Sequence, residues 1–257
     1  MAMGFLATAS YGQISRGDRY SGATWATRSP VLAQHGMAAT EQPLASQIAI
    51  DILKKGGSAV DAAIAANAAI GLMQPVLNGI GGDLFAIVYE AKTGALHGLN
   101  ASGWAPKALT PSFMRQHGFA RMPDGGIHTV TVPGAVAGWE ALRGRLGTLP
   151  LSDLLAPAIW YADEGFPVSD VIAAHWASLA DTLAAEPNAA RTYLPGGRPP
   201  AAGEIFRNPD LAGSLRRIAA DGPAGFYEGQ TADAILAISR EKGGTLDAAD
   251  LREMQPE

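Results

Sequence analysis

The stretch Leu84-Phe85-Ala86-Ile87-Val88-Tyr89 is apolar without a break, and its flanks say how the chain reaches and leaves it. It is entered through Asn78-Gly79-Ile80-Gly81-Gly82-Asp83 and left through a turn at Lys92-Thr93-Gly94. A second short strand then runs to Asn100-Ala101-Ser102-Gly103-Trp104-Ala105-Pro106. A run of this length bounded by turn residues predicts a strand covered on both faces, here one arm of a hairpin. The glycines ahead of it allow a tight turn or a close approach of backbone to its surroundings. The glycine-rich end and the end carrying Asn100, Ser102, Gly103 and Trp104 are expected to wall a pocket.

The segments before this hairpin predict two helices that cover it. Leu44, Ile48 and Ile52 recur at every fourth position, with Ala45, Ala49 and Leu53 beside them, which predicts a helix over 44–55. Lys54 and Lys55 suit the negative end of the helix dipole, and Gly56-Gly57 stop it. Ser58 with Asp61 three residues on predicts a capping box opening a helix over 59–73. That helix is alanine and isoleucine on nearly every side, the composition of a buried helix. Two helices against a hairpin give a mixed α/β (α+β) layered fold.

Near the start of the core, Val31-Leu32-Ala33 and Met37-Ala38-Ala39 suggest a short strand or hairpin, with His35 read as a turn residue. Residues 111–117 predict a helix, 128–132 alternate like a strand, and a helix follows to about Leu146. Gly134-Ala135-Val136-Ala137-Gly138 has the glycine spacing of a nucleophile elbow but holds Val at the nucleophile's place, which excludes one. Ser152 is expected to cap a helix through Ala162, leaving Asp163 and Glu164 at a solvated helix end. Residues 186–203, rich in Pro, Gly and Ala, read as a surface loop. Asn208 is expected to cap a helix over 211–220. A further helix is predicted over 231–241, and Asp247 begins another cap. Residues 1–30 show no period and read as a loose arm ahead of a single unit over 31–257.

Composition removes several functions. The 257 residues are ample for a core, and 47% are hydrophobic against 17% charged. A net charge of −5 provides no basic footprint for nucleic acid or anionic lipid. With no cysteine there is no disulfide, thiolate nucleophile or Cys-based zinc site. The five histidines lack the paired helical spacing of a zinc site. No apolar run reaches the ~18–20 residues of a membrane span, and Met1–Ala9 carries no evident signal peptide. The glycine-rich stretch precedes a strand, whereas a dinucleotide fingerprint follows one. Neither a cofactor nor a metal is expected.

The order of short blocks resembles the γ-glutamyltranspeptidase family (γ-glutamyltransferase, glutathione hydrolase). The blocks are Gly36-Met37-Ala38-Ala39, Pro43-Leu44-Ala45-Ser46, Leu53 through Ala63, Asn78 through Asp83, and Val132 through Gly138. Leu154 through Ala158, Glu164 through Val168, Gly225-Phe226-Tyr227 and Gly243 through Asp247 complete them. The resemblance runs from about residue 31 to the C-terminus and corresponds to the N-terminal part of the large subunit. It implies part of the αββα core of an N-terminal-nucleophile hydrolase, with a helical large-subunit region. It also implies autoprocessing into two subunits and an attacking threonine at the N-terminus of the small subunit, whose freed amine serves as the base. No residue here matches that threonine, so this chain alone is expected to be inactive and to need the small subunit as partner. A small-molecule amide or γ-glutamyl substrate and a periplasmic or secreted location are likewise implied.

In the family an arginine near the hairpin's end grips the substrate's α-carboxylate. In this chain Ser102 or Trp104 stands at its place, depending on alignment. Asn100, Ser102, Gly103 and Trp104 are therefore the substrate-binding candidates. Neither Ser102 nor Trp104 supplies a guanidinium's bidentate bond, a loss of about 1.5–3 kcal/mol. Three readings stand open: a γ-glutamyltransferase or glutathione hydrolase, a cephalosporin-acylase-like or other non-glutamyl amidohydrolase, and a non-catalytic binding or structural module.

Overall fold

A computed structural model of the protein describes residues 31–257. The described residues fall into two units, residues 31–37 in one and Ala38–Glu257 in the other. In the first, the described residues 31–37 contain no helix or strand, so the short hairpin expected around Val31 and Met37 is absent there. The arm expected over 1–30 lies outside the described residues.

The second unit opens with α1 (Pro43–Lys54) and α2 (Ala59–Met73). Gln42 caps α1 by accepting N–H bonds from Leu44 and Ala45, at 2.5 and 3.2 Å. The capping box at α2 is complete: Asp61 N–H donates to Ser58 Oγ at 3.1 Å, and Ser58 N–H to Asp61 Oδ2 at 2.8 Å. Asp61 is fully buried and also accepts the N–H and hydroxyl of Thr148 at 2.9 and 2.7 Å, tying α2 to a distant loop. Burial works to raise its pKa, but the bonds from Thr148 and Ser58 outweigh this and hold the carboxyl below its usual range. Most of α2 is buried, as its composition predicts.

The hairpin β1 (Leu84–Glu90) and β2 (Ala95–Ala101) follows, antiparallel in the register Phe85↔Asn100, Ile87↔Gly98 and Tyr89↔Leu96. The expected two-faced burial is wrong. Phe85, Ile87, Tyr89 and Leu96 are 66–80% exposed, whereas Leu84, Ala86 and Val88 are half-buried on the other face. The apolar run satisfies both alternations of the strand, yet the helices cover only one face; the described residues contribute nothing over the other.

The remainder is helical: α3 (Pro111–Gln116), α4 (Ala135–Leu146), α5 (Leu151–Glu164), α6 (Asp170–Ser178), α7 (Ala180–Ala184), α8 (Pro187–Tyr193), α9 (Pro209–Asp221), α10 (Ala224–Tyr227), α11 (Gly229–Glu241) and α12 (Ala248–Arg252). A minimal pair of strands, β3 (Phe166–Pro167) and β4 (Ile205–Phe206), joins α5 to α9. One core runs through α1, α2, α4, α5 and α9, with Trp139, Trp176, Phe166 and Phe226 among its largest fully buried side chains.

Three local expectations fail for identifiable reasons. Residues 128–132 are not a strand: Ile127–Thr129 form a 3-10 turn, and Val132 N–H is used by Trp104 O at 2.9 Å. Ser152 does not cap α5, which begins one residue earlier, after the extended Pro150. Residues 186–203 are not all loop: Pro187 starts α8, and Trp176 Nε1 donates to Tyr193 O at 2.8 Å to fix its end. The cap at Asn208 forms as predicted, at 3.0 Å to Leu211 N, and Asp247 caps α12.

Candidate functional site

The exit of β2 is locked by a glycine at each close approach. Gly103 has φ +68°, and a Cβ there would lie 1.8 Å from Val132 O. A Cβ on Gly134 would lie 2.0 Å from Ala101 O, and one on Gly138 would meet the side chain of Ala101 at 2.9 Å. Only a bare backbone fits at these points, so β2 lies flush against the start of α4. On the far side, Gly82 O accepts the N–H groups of Gly134 and Ala135, both at 3.0 Å, anchoring the glycine-rich entry of the hairpin to the same helix end. Tyr227 completes the brace: its hydroxyl donates to Pro133 O at 2.8 Å and accepts from Ala137 N–H at 3.2 Å. Burial, only partly offset by the Ala137 bond, pushes the Tyr227 phenol up to about 12.

Against this frame Asn100, Ser102, Gly103 and Trp104 line one small cleft of about 70 Å³ together with Met254, Gln255 and Glu257. Asn100 and Glu257 exchange both backbone hydrogen bonds at 2.7 Å, the pattern of an antiparallel pair. Ser102 N–H donates to Asn100 Oδ1 at 3.0 Å. The Trp104 ring packs against the core, and its Nε1 is buried with no acceptor among the described residues. The loop leaving the hairpin is held by the fully buried Asp250, which accepts from Lys107 N–H and Asp247 N–H, each at 3.1 Å. Lys107 Nζ also pairs with Glu253. These bonds fix α12, and with it the 254–257 strip, beside Trp104.

Among the described residues no Lys or Arg lines the cleft, and Glu257 is its only ionisable lining residue. The glycine-rich end of the hairpin does not share this cleft. Asp83 instead lines a second one of about 290 Å³ with Asn67, Leu84 and Trp139, so among the described residues the two ends of the hairpin line separate clefts. Met254, Gln255 and Glu257 carry no motif, and only the fold brings them to the site. Among the described residues no group of three or more His, Asp or Glu side chains is placed to hold a metal ion, and no helix is long and apolar enough to cross a membrane.

Comparison with known proteins adds the lineage. The family model for gamma-glutamyltranspeptidase matches residues 45–257. The oxamate amidohydrolase proenzyme of Klebsiella pneumoniae is 38% identical over 229 residues, covering 86% of this chain and 42% of the relative. The crystal structure of Helicobacter pylori gamma-glutamyltranspeptidase superposes with a TM-score of 0.83 at 31% identity, covering 89% of this chain and 66% of that one. Cephalosporin acylase from Bacillus halodurans superposes with a TM-score of 0.81 at 40% identity, covering 91% and 46%. The chain thus spans less than half the length of such curated relatives. On the extent of the family match and these likenesses, the chain belongs to the γ-glutamyltranspeptidase family.

Proposed function

We infer that this chain is the large-subunit portion of a γ-glutamyltranspeptidase-type amidohydrolase that cleaves a small amide, or transfers its acyl group, with no metal or organic cofactor. The family match across residues 45–257, set against a chain spanning 42% of a related proenzyme, carries this reading. The exposed apolar face of Phe85, Ile87, Tyr89 and Leu96 supports it, since a contiguous apolar sheet face in a protein of this kind calls for a covering layer. The polypeptide corresponding to the remaining length would supply that layer, completing an αββα core, and also the nucleophile. In the reaction so inferred, a threonine Oγ adds to the amide carbonyl carbon and its proton passes to the threonine's own α-amine. The C–N bond then breaks, the leaving amine takes that proton, and water or an acceptor amine releases the acyl group.

A second reading concerns the acyl group and rests on the cleft's lack of a cation. Without a guanidinium beside Asn100–Trp104, an amide with an uncharged or bulkier acyl group lying against Trp104 is preferred over a γ-glutamyl one. The test of the main reading is expression of this chain alone and as part of a proenzyme-length protein. The long form is expected to cleave itself and hydrolyse an anilide, and the short form to do neither. Turnover by the short form, or an uncleaved and inert long form, contradicts the reading and favours a non-catalytic module.

A further inference from the structure

We propose that a third cleft, between the Pro195–Gly197 turn and the start of α9, binds a small dianion bearing paired oxygens, a phosphate monoester or a dicarboxylate. The cleft has a volume of about 380 Å³ and is lined by Arg191, Thr192, Arg207, Asn208 and Asp210 over an apolar floor that includes the buried Phe206. Neither Arg191 nor Arg207 has a carboxylate partner among the described residues, whereas Arg143, Arg198 and Arg216 each do. Arg207 is aligned by its stem: Gly165, at φ +94°, lets β4 approach so closely that a Cβ there would lie 3.0 Å from Arg207 Cγ.

Asn208 adds an amide donor at the cleft's edge. It is only 6% exposed, and its Oδ1 is committed to Leu211 N–H at 3.0 Å. That bond fixes which end of the amide is oxygen and turns Nδ2 away from the helix, where it has no acceptor among the described residues. The adjacent Asp210 N–H, at the second position of a 13-residue helix, is likewise without an acceptor. Two guanidinium-bearing residues, an oriented amide and a free helix N–H line one cleft, a set suited to the oxygens of a dianion. The Asp210 carboxylate opposes this and limits affinity. None of the amide chemistry inferred above enters, so the two proposals stand or fall separately.

Isothermal titration of inorganic phosphate and, separately, of succinate into the 257-residue chain at low salt tests the site. Saturable one-site binding of either anion is expected, and which one binds identifies the ligand class. Arg191→Gln and Arg207→Gln each weaken it about tenfold or more. Arg145→Gln, an exposed arginine outside the cleft, leaves it unchanged. Asp210→Asn tightens it several-fold, a gain that misfolding cannot imitate. Absence of saturable binding in both the native chain and Asp210→Asn, or affinity untouched by both Arg191→Gln and Arg207→Gln, overturns the proposal.

Discussion

Gly103 and Val132 approach so closely that a Cβ on the former would sit 1.8 Å from the carbonyl oxygen of the latter, while the Val132 N–H is bonded to Trp104 O at 2.9 Å. This contact sets the path of the chain through the candidate substrate cleft. Gly103→Ala is expected to destabilise the fold by about 3 kcal/mol or more, combining a left-handed backbone penalty with a steric clash. Gly94→Ala provides the control: Gly94 has φ +72° but open space around its Cβ position, so only about 1–2 kcal/mol is lost. Urea unfolding of the two variants separates the terms, and equal losses would show that the clash is relieved by movement.

Asp61 yields a pH signature. Its folded pKa lies below the usual carboxylate value, so the stability it contributes is fully present above an unfolded pKa of about 3.9. That contribution fades as pH falls through the lower folded pKa. Asp61→Asn is expected to cost about 2–3 kcal/mol at pH 7, since the Ser58 and Thr148 donors lose a charged acceptor. The gap between native and variant should shrink at pH 3 and below; a gap independent of pH would contradict the assignment.

Tyr227→Phe tests the brace behind the cleft. It leaves Pro133 O and Ala137 N–H without their buried partner, at a cost of about 1–3 kcal/mol. The phenol is raised to about 12 in the folded state, so the native chain should lose stability as pH climbs through its unfolded value of about 10 toward 12. The phenylalanine variant should lack that component, which denaturant titrations at pH 8 and pH 11 can measure.

The exposed hairpin face makes an opposite prediction. Replacing Phe85 and Ile87 by Thr should change the unfolding free energy of this chain by no more than about 0.5 kcal/mol per site. The same variants should bind less of a hydrophobic dye. Large destabilisation would mean that the face is already covered.

Much of the helical layer was legible from strong local signals: apolar side chains at helical spacing at Leu44, Ile48 and Ile52, and caps at Ser58, Asn208 and Asp247. The hairpin was legible as strands but not in its burial. Phe85, Ile87 and Tyr89 are as apolar as Leu84, Ala86 and Val88, so periodicity alone cannot say that one face lacks a cover. The apparent strand at 128–132 alternates over too few residues to outweigh local turn formation, in which the Thr129 hydroxyl donates to Gly126 O at 2.8 Å. Helices α6 to α8 carry weak patterns and are held by packing around Trp176 and Tyr193. At the candidate site, one wall could be named from Asn100 to Trp104 through family resemblance. The other, Met254 to Glu257, lies about 150 residues away and is delivered by the buried Asp250, a long-range bond with no sequence signature.

The most direct measurement is hydrolysis of a γ-glutamyl anilide by the proenzyme-length protein, native and Trp104→Arg, beside an anilide of an uncharged acyl group. The account predicts weak γ-glutamyl turnover by the native protein, about 10- to 100-fold improved by the arginine, with the uncharged anilide preferred before the substitution. Strong native turnover of the γ-glutamyl anilide, with no gain from arginine at position 104, would contradict it.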